Sequence, residues 1–190
     1  MNIVAIIPAR GGSKGIPDKN IIEFCGKRLL CWSIEQAKEV SSIGHVFVTS
    51  DSDIILDIAE NNGAIPIQRP ADISGDTASS ESALTHALKA IKECGINPDL
   101  IVFLQATSPL RTSLDIDNAI QLAIKNNYDS VFSACEIEDL LIWKRQTDGK
   151  LWSVNYNFML RRRRQDVQKQ YGENGSIYVF KPEILNKYNN

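Results

Sequence analysis

Ile3-Val4-Ala5-Ile6-Ile7-Pro8 is an unbroken apolar, largely β-branched run, and it leaves few choices for the fold. A strand wetted on one face alternates apolar with polar side chains. A strand without that alternation is covered on both faces, as strands of a parallel sheet are. Pro8 ends the ladder because it has no N–H to donate. Ala9 to Asn20 then hold three glycines, Gly11, Gly12 and Gly15, and three cations, Arg10, Lys14 and Lys19. Glycine lets backbone N–H groups turn towards an anion at close range. A loop just beyond the carboxyl end of a first strand lies where open α/β sheets bind ligands. A polyphosphate suits these parts; a solvated basic βα loop is the plainer alternative. The loop is neither a Walker A loop nor a G-x-G-x-x-G fingerprint.

A chain of 190 residues makes one domain, or one domain with an appendage. The net charge of −2 exerts no global pull on nucleic acid or an anionic membrane, so a polyphosphate would be held by locally clustered cations. No secretory signal precedes the first strand, and no apolar run approaches the ~20 residues of a membrane helix. Cys25, Cys31, Cys94 and Cys135 form no C-x-x-C pair. They read as reduced, mostly buried thiols of a cytoplasmic protein. His45 and His86 lack ligand spacing to them, so no zinc site is expected.

Periodicity predicts a helix from Leu29 to Val40 with Leu30, Ile34 and Ala37 buried, and a strand from His45 to Thr49. Ser50 to Asp53 offers caps and early acids for a helix ending at Gly63, and Ala64 to Ile67 makes a short strand. This βαβαβ order implies right-handed crossovers and a mainly parallel sheet with helices on both faces. A loop from Arg69 to Ser80 leads into a helix with Leu84, Ala87, Leu88 and Ile91 on one side. The loop is read either as a second anion or base contact or as N-capping by Thr77 or Ser79. Asp99 to Gln105 is another buried strand, with the Gln105 amide on the ligand edge. A helix over Ile116 to Ala123 and a strand from Ser130 to Cys135 follow. From 136 to 172 the periodicity fades and charged and aromatic residues mix, which predicts an arm whose apolar groups need a partner. Within it, Arg161-Arg162-Arg163-Arg164 reads by itself as a solvated face or nucleic-acid patch. A strand over Asn174 to Phe180 and a last helix from Pro182 close the chain.

Four stretches, in order, resemble the motifs of the acylneuraminate cytidylyltransferases. They are Ile7 to Asn20; Arg69-Pro70 with Asp76 to Ser80; Leu104 to Arg111, with Ala106 where proline is usual; and Arg163 to Asp166 with Glu173 to Tyr178. The resemblance spans nearly the whole chain. It implies a Rossmann-like nucleotide-diphospho-sugar transferase fold, α/β, in a single domain over 1–190, with 136–172 as a protruding dimerisation arm that reaches into a partner's site. It implies that CMP moves from CTP to a sialic-type nonulosonic acid with release of pyrophosphate, in a homodimer that uses Mg²⁺. Charge, apolar runs and cysteines add the expectation of a cytoplasmic protein that binds no nucleic acid or membrane.

Carried over by position, Arg10, Gly11, Ser13, Lys14 and Lys19 would hold the triphosphate, and Asn20, Arg69, Ala78 and Ser80 the cytidine. Gln105, Lys144, Arg161, Arg164 and Tyr178 would face the sugar, with Arg10, Lys19 and Arg164 serving catalysis. The residues suit that chemistry: phosphoryl-type transfer relies on positioning and charge neutralisation, and a guanidinium meets a sugar carboxylate through two parallel bonds.

Two departures stand out. Gly172 lies where arginine is frequent, and the aspartate pair that holds the family's metal near the carboxyl end is missing, which reads as a shortened chain. Asp115 and Asp117 have the spacing of such a pair but lie at a helix start, where acids are expected anyway. The metal ligands are therefore unassigned. The rival readings are activation of legionaminic, pseudaminic or an eight-carbon ulosonic acid, and a nucleotide-binding module without turnover; a dehydrogenase lacks its fingerprint. Asn20 and the Gln105-Ala106-Thr107 segment favour a nine-carbon acid. Replacing Lys19 by alanine is expected to abolish pyrophosphate release while the circular dichroism spectrum and melting curve stay as they are.

Overall fold

In the computed structural model the first strand, β1 (Ile3–Pro8), has a parallel neighbour on each edge. The structure describes residues 1–190 apart from 14, 76, 138–140, 161 and 188–190, and apart from the side chains of Arg164 and Asn186. After β1 come a hairpin of β2 (Glu23–Phe24) and β3 (Lys27–Arg28), α1 (Leu29–Lys38), β4 (His45–Ser50), α2 (Asp53–Asn61) and β5 (Ile65–Gln68). Then follow α3 (Ser80–Glu93), β6 (Leu100–Leu104), α4 (Ser113–Asn126), β7 (Ser130–Ile137), β8 (Trp143–Arg145), β9 (Leu151–Ser153), β10 (Gln170–Phe180) and α5 (Glu183–Lys187).

The main sheet has the order β5-β4-β1-β6-β10-β7. Pairing is parallel from β5 to β6, with Val4 opposite His45 on one side of β1 and Ile101 on the other. β10 runs antiparallel to β6, with Tyr178 opposite Phe103, so one strand departs from the parallel pattern. Consecutive side chains of a strand point to opposite faces, and β1 therefore feeds two cores. Ile3, Ala5 and Ile7 pack with Leu30 and Ile34 of α1, Ile55 of α2, and Ile116 and Ile120 of α4. Val4 and Ile6 pack with Leu84, Leu88 and Ile91 of α3 and with Leu185 of α5. Helices thus cover both faces of a largely parallel sheet.

The chain divides into two compact units, one of Met1–Ser133 with Gly175–Asn190 and one of Ala134–Asn174; the predicted arm, 136–172, lies within the second. Inside that second unit, β8 and β9 pair antiparallel, with Trp143 opposite Ser153. Trp143 meets Tyr156 edge-on at 5.7 Å between ring centroids, and Trp152 meets Phe158 at 5.0 Å. Such edge-to-face pairs add to plain burial. Leu151, Val154, Met159 and Leu160 of this unit are exposed.

The cysteines correct one expectation. All four are free thiols, but only Cys31 is buried. Cys25 sits in the β2–β3 turn, Cys94 caps the end of α3 and Cys135 lies on an edge strand, three places where packing does not reach the side chain.

Candidate functional site

β1 and β6 end side by side, and the chain leaves them in opposite directions across the sheet: outward to β4 and β5 after β1, and on to β7 after β6. Such a switch point opens a crevice at the carboxyl ends of the strands. A cleft of about 300 Å³ lies there. Its lining comes from the loop after β1 (Pro8, Arg10, Ser13, Lys19, Asn20), the segment from Arg69 into α3 (Arg69, Gly75, Ala78, Ser79, Ser80) and the end of β6 (Phe103, Gln105, Thr107).

Eight of the sequence-predicted site residues therefore share one cleft: Arg10, Ser13, Lys19, Asn20, Arg69, Ala78, Ser80 and Gln105. Gly11 is not among the lining residues. Its N–H donates to Asp51 Oδ1 at 3.0 Å, and a Cβ there would sit 3.0 Å from that of Ser52, a contact tight enough that a side chain would have to push Ser52 aside. Tyr178 stacks on Phe103 of the lining, with centroids 5.1 Å apart and planes 16° from parallel. Lys144 lies on β8 and Arg164 begins a short 3-10 turn, both in the second unit. Lys14 and Arg161 fall outside the described residues.

Arg10 Nη1 donates to Gly75 O at 3.0 Å, joining the loop after β1 to the segment before α3. The Asn20 amide, 6% exposed, donates to Arg10 O at 2.9 Å and braces the same loop. Ser79 is the N-cap of α3, its hydroxyl accepting from Ser82 N at 3.1 Å, while Ala78, Ser79 and Ser80 line the cleft. Of the two sequence readings of this segment, N-capping by Ser79 is present, and the segment lines the cleft where an anion or base contact would lie. The N-terminal turn of a helix is favourable to negative charge.

Arg69 is the most demanding residue in the cleft. It is 6% exposed, yet its Nε and Nη2 have no hydrogen-bond partner among the described residues. Asp51 Oδ1 is 3.8 Å from Nη2, close enough for charge attraction but too far for a hydrogen bond. Burial pushes the guanidinium below its usual range, Asp51 opposes the shift and Arg10 adds to it. A buried donor without an acceptor costs roughly 1–3 kcal/mol, more when charged. The cleft as a whole offers cations, hydroxyls, two amides and one aromatic face, which is a donor set for a polyanionic ligand carrying a flat polar ring.

The described lining residues include no carboxylate. Asp115, one of the two acids with the right spacing, is engaged elsewhere: it accepts from Thr112 N and Thr112 Oγ1 in the capping box of α4, which lowers its pKa.

Two contributors to the site were not assigned from sequence. Asp51, which the sequence offers as a cap or early acid of α2, holds Gly11 and faces Arg69. Arg111, which ends the third motif and has no role assigned there, is 7% exposed and donates to Gln105 O at 2.8 Å. A charged residue directly after a buried strand and its proline-containing loop was the available signal.

The family model of the cytidylyltransferases matches residues 4–188. N-acylneuraminate cytidylyltransferase A of Danio rerio is 36% identical over 187 residues, covering 97% of this chain and 42% of that protein. A pseudaminic acid cytidylyltransferase of Campylobacter jejuni is 34% identical over 184 residues, covering 94% of this chain and 78% of the relative. The chain thus spans less than half the length of the zebrafish protein. Among solved structures, a CMP:2-keto-3-deoxy-manno-octonic acid synthetase complexed with CTP superposes with a TM-score of 0.75 at 18% identity, over 99% of this chain and 77% of that one. At that identity the likeness speaks for the fold.

Arg69→Met is expected to keep or raise the melting temperature, because it removes an unpaired buried charge, and to weaken CTP binding about tenfold or more, a loss of roughly 1.5–3 kcal/mol. Thermal unfolding and calorimetric titration with CTP check both.

Proposed function

This chain belongs to the cytidylyltransferase family, and from that premise we propose that it moves CMP from CTP to the anomeric hydroxyl of a sialic-type nonulosonic acid. The observation that carries the reading is the shared cleft at the β1/β6 switch point, with Arg10, Ser13, Lys19 and Arg69 around it. The hydroxyl oxygen attacks the α-phosphorus in line, a new C–O–P bond forms, the bond to the bridging oxygen breaks and pyrophosphate leaves; the hydroxyl proton goes to solvent. Arg10 and Lys19 offset the charge that builds on the triphosphate, Ser13 donates to it, and the N-terminal end of α3 adds its dipole. Asn20, Arg69, Ala78 and Ser80 hold the nucleoside, while Gln105 and Tyr178 face the sugar. Lys144, Arg161 and Arg164 stay sugar contacts, and Lys14 a phosphate contact, on the resemblance alone.

Mg²⁺ is expected from the resemblance, but the described lining residues do not fit a protein-held ion: hard divalent cations take oxygen donors, usually with one or two carboxylates, and this cleft presents cations instead. The same donor set favours a second reading, in which the chain binds the nucleotide without turning it over.

A sialic and a pseudaminic acid cytidylyltransferase are about equally similar to the chain, so either nine-carbon acid fits. Among the described residues no helix is long and apolar enough to cross a membrane, and the use of CTP fits a cytoplasmic reaction. The exposed apolar side chains of the second unit support a homodimer.

Pyrophosphate release, measured over a panel of nonulosonic acids and all four nucleoside triphosphates, is expected to require CTP together with N-acetylneuraminic acid or a close analogue. CTP binding without release supports the second reading, and absence of CTP binding rejects both. Light scattering at several concentrations is expected to give twice the chain mass; a monomer throughout removes the homodimer.

A further inference from the structure

The Arg111 guanidinium gathers acceptors from three elements and the loop between them. Nη1 donates to Gln105 O at the end of β6 (2.8 Å), to Ser108 O in the following loop (3.0 Å) and to Ser176 O on β10 (3.3 Å). Nη2 donates to Ser33 Oγ on α1. From α1, Gln36 Nε2 reaches back to Pro109 O and Arg111 O at 2.8 and 2.7 Å. The loop from Gln105 to Arg111 is thus fastened to α1 from both sides. Beside it, Gly175 holds a φ of +68°, and a Cβ built there would lie 3.4 Å from both Oε1 and Nε2 of Gln105. The Gln105 main chain is held by Arg111, and its amide rests on bare backbone.

Core closure does not account for this arrangement. Arg111 is buried, and its Nε has no partner among the described residues. Among the described residues no carboxylate offsets it, and burial alone lowers its pKa to about 10. A guanidinium kept there costs stability that an apolar side chain of similar size would not. What it supplies is a rigid fork of five donors, enough to bridge carbonyls that converge from separate elements; a lysine has three donors and no plane.

We propose that Arg111 is a positioning residue that fixes the aim of the Gln105 amide, with Gly175 as its platform, and so sets recognition of the sugar rather than of the nucleotide. This rests on the reading of Gln105 as a sugar contact. The displaced atoms are small in number, but a site contact misplaced by about 1 Å costs on the order of a hundredfold.

The test uses the full chain with Arg111→Lys, Ser33→Ala and Gln105→Ala, and Ile120→Val as a control that loosens the same core without touching the loop. Arg111→Lys is expected to raise KM for the acid selected by the panel tenfold or more, with KM for CTP within twofold. Combined with Gln105→Ala, it is expected to be no worse than Gln105→Ala alone. The Gln105 side-chain NH₂ resonance, identified by its loss in Gln105→Ala, is expected to shift in Arg111→Lys and Ser33→Ala and to stay in place in Ile120→Val. A resonance unmoved by both variants, losses that add in the double variant, or equal losses for sugar and CTP overturn the inference. If Arg111→Lys does not fold, Ser33→Ala carries the same readings. If the unaltered chain releases no pyrophosphate with any acid, the proposed reaction fails, and the resonance alone decides the positioning role.

Discussion

The cleft depends on β1 being enclosed on four sides, by β4 and β6 at its edges and by helices on its two faces. A strand so enclosed satisfies all its backbone groups within the sheet and has one way out, at its carboxyl end. The parallel neighbour β6 ends at the same edge, so the two loops that leave them must face each other across the crevice. Placing Arg10 and Lys19 opposite Gln105 follows from that pairing. No recognition chemistry is needed to bring them together, and the recognition chemistry is then free to vary on loops carried by a rigid sheet.

Helix α1 turns this geometry into a fixed one. The indole N–H of Trp32 donates to Phe24 O at 2.8 Å, and Lys27 is bonded to Glu35, so the β2–β3 hairpin that follows the cationic loop is moored on α1. Ser33 and Gln36 moor the Gln105–Arg111 loop to the same helix. Both banks of the cleft share one support. Opposite it, Asp51 links Gly11 to Arg69, which lies at the end of β5 and whose own N–H donates to Ser50 O.

Where a single physical period governs, the sequence is readable. The unbroken run of β1, the i, i+3, i+4, i+7 stripe of α3 from Leu84 to Ile91, and the stop at Gly63, with its φ of +79°, all reappear in the structure. The place of β10 does not follow from period, since Asn174 to Phe180 reads as a buried strand in either direction, and the structure has it antiparallel beside β6. The β2–β3 hairpin was also illegible. Its turn places Cys25 and Gly26 at φ of 52° and 83°, and a cysteine stands where asparagine or aspartate would have signalled it. For the site, residue types pointed to cations and hydroxyls on the strand ends. The tertiary partners of Asp51 and Arg111 could not be read, because hydrogen bonds spanning 40 and 78 positions leave no local pattern.

Trp32 has one more consequence. It is the single indole of the unit that contains the cleft, since Trp143 and Trp152 both belong to the other. The Lys27 ammonium stands 4.2 Å from its ring centroid. A cation held over a π face alters the electric field in which an indole emits, so the fluorescence colour of this one residue reports whether the hairpin beside the cationic loop is seated. The fold thereby carries its own optical gauge, readable without a label in a chain reduced to that single fluorophore.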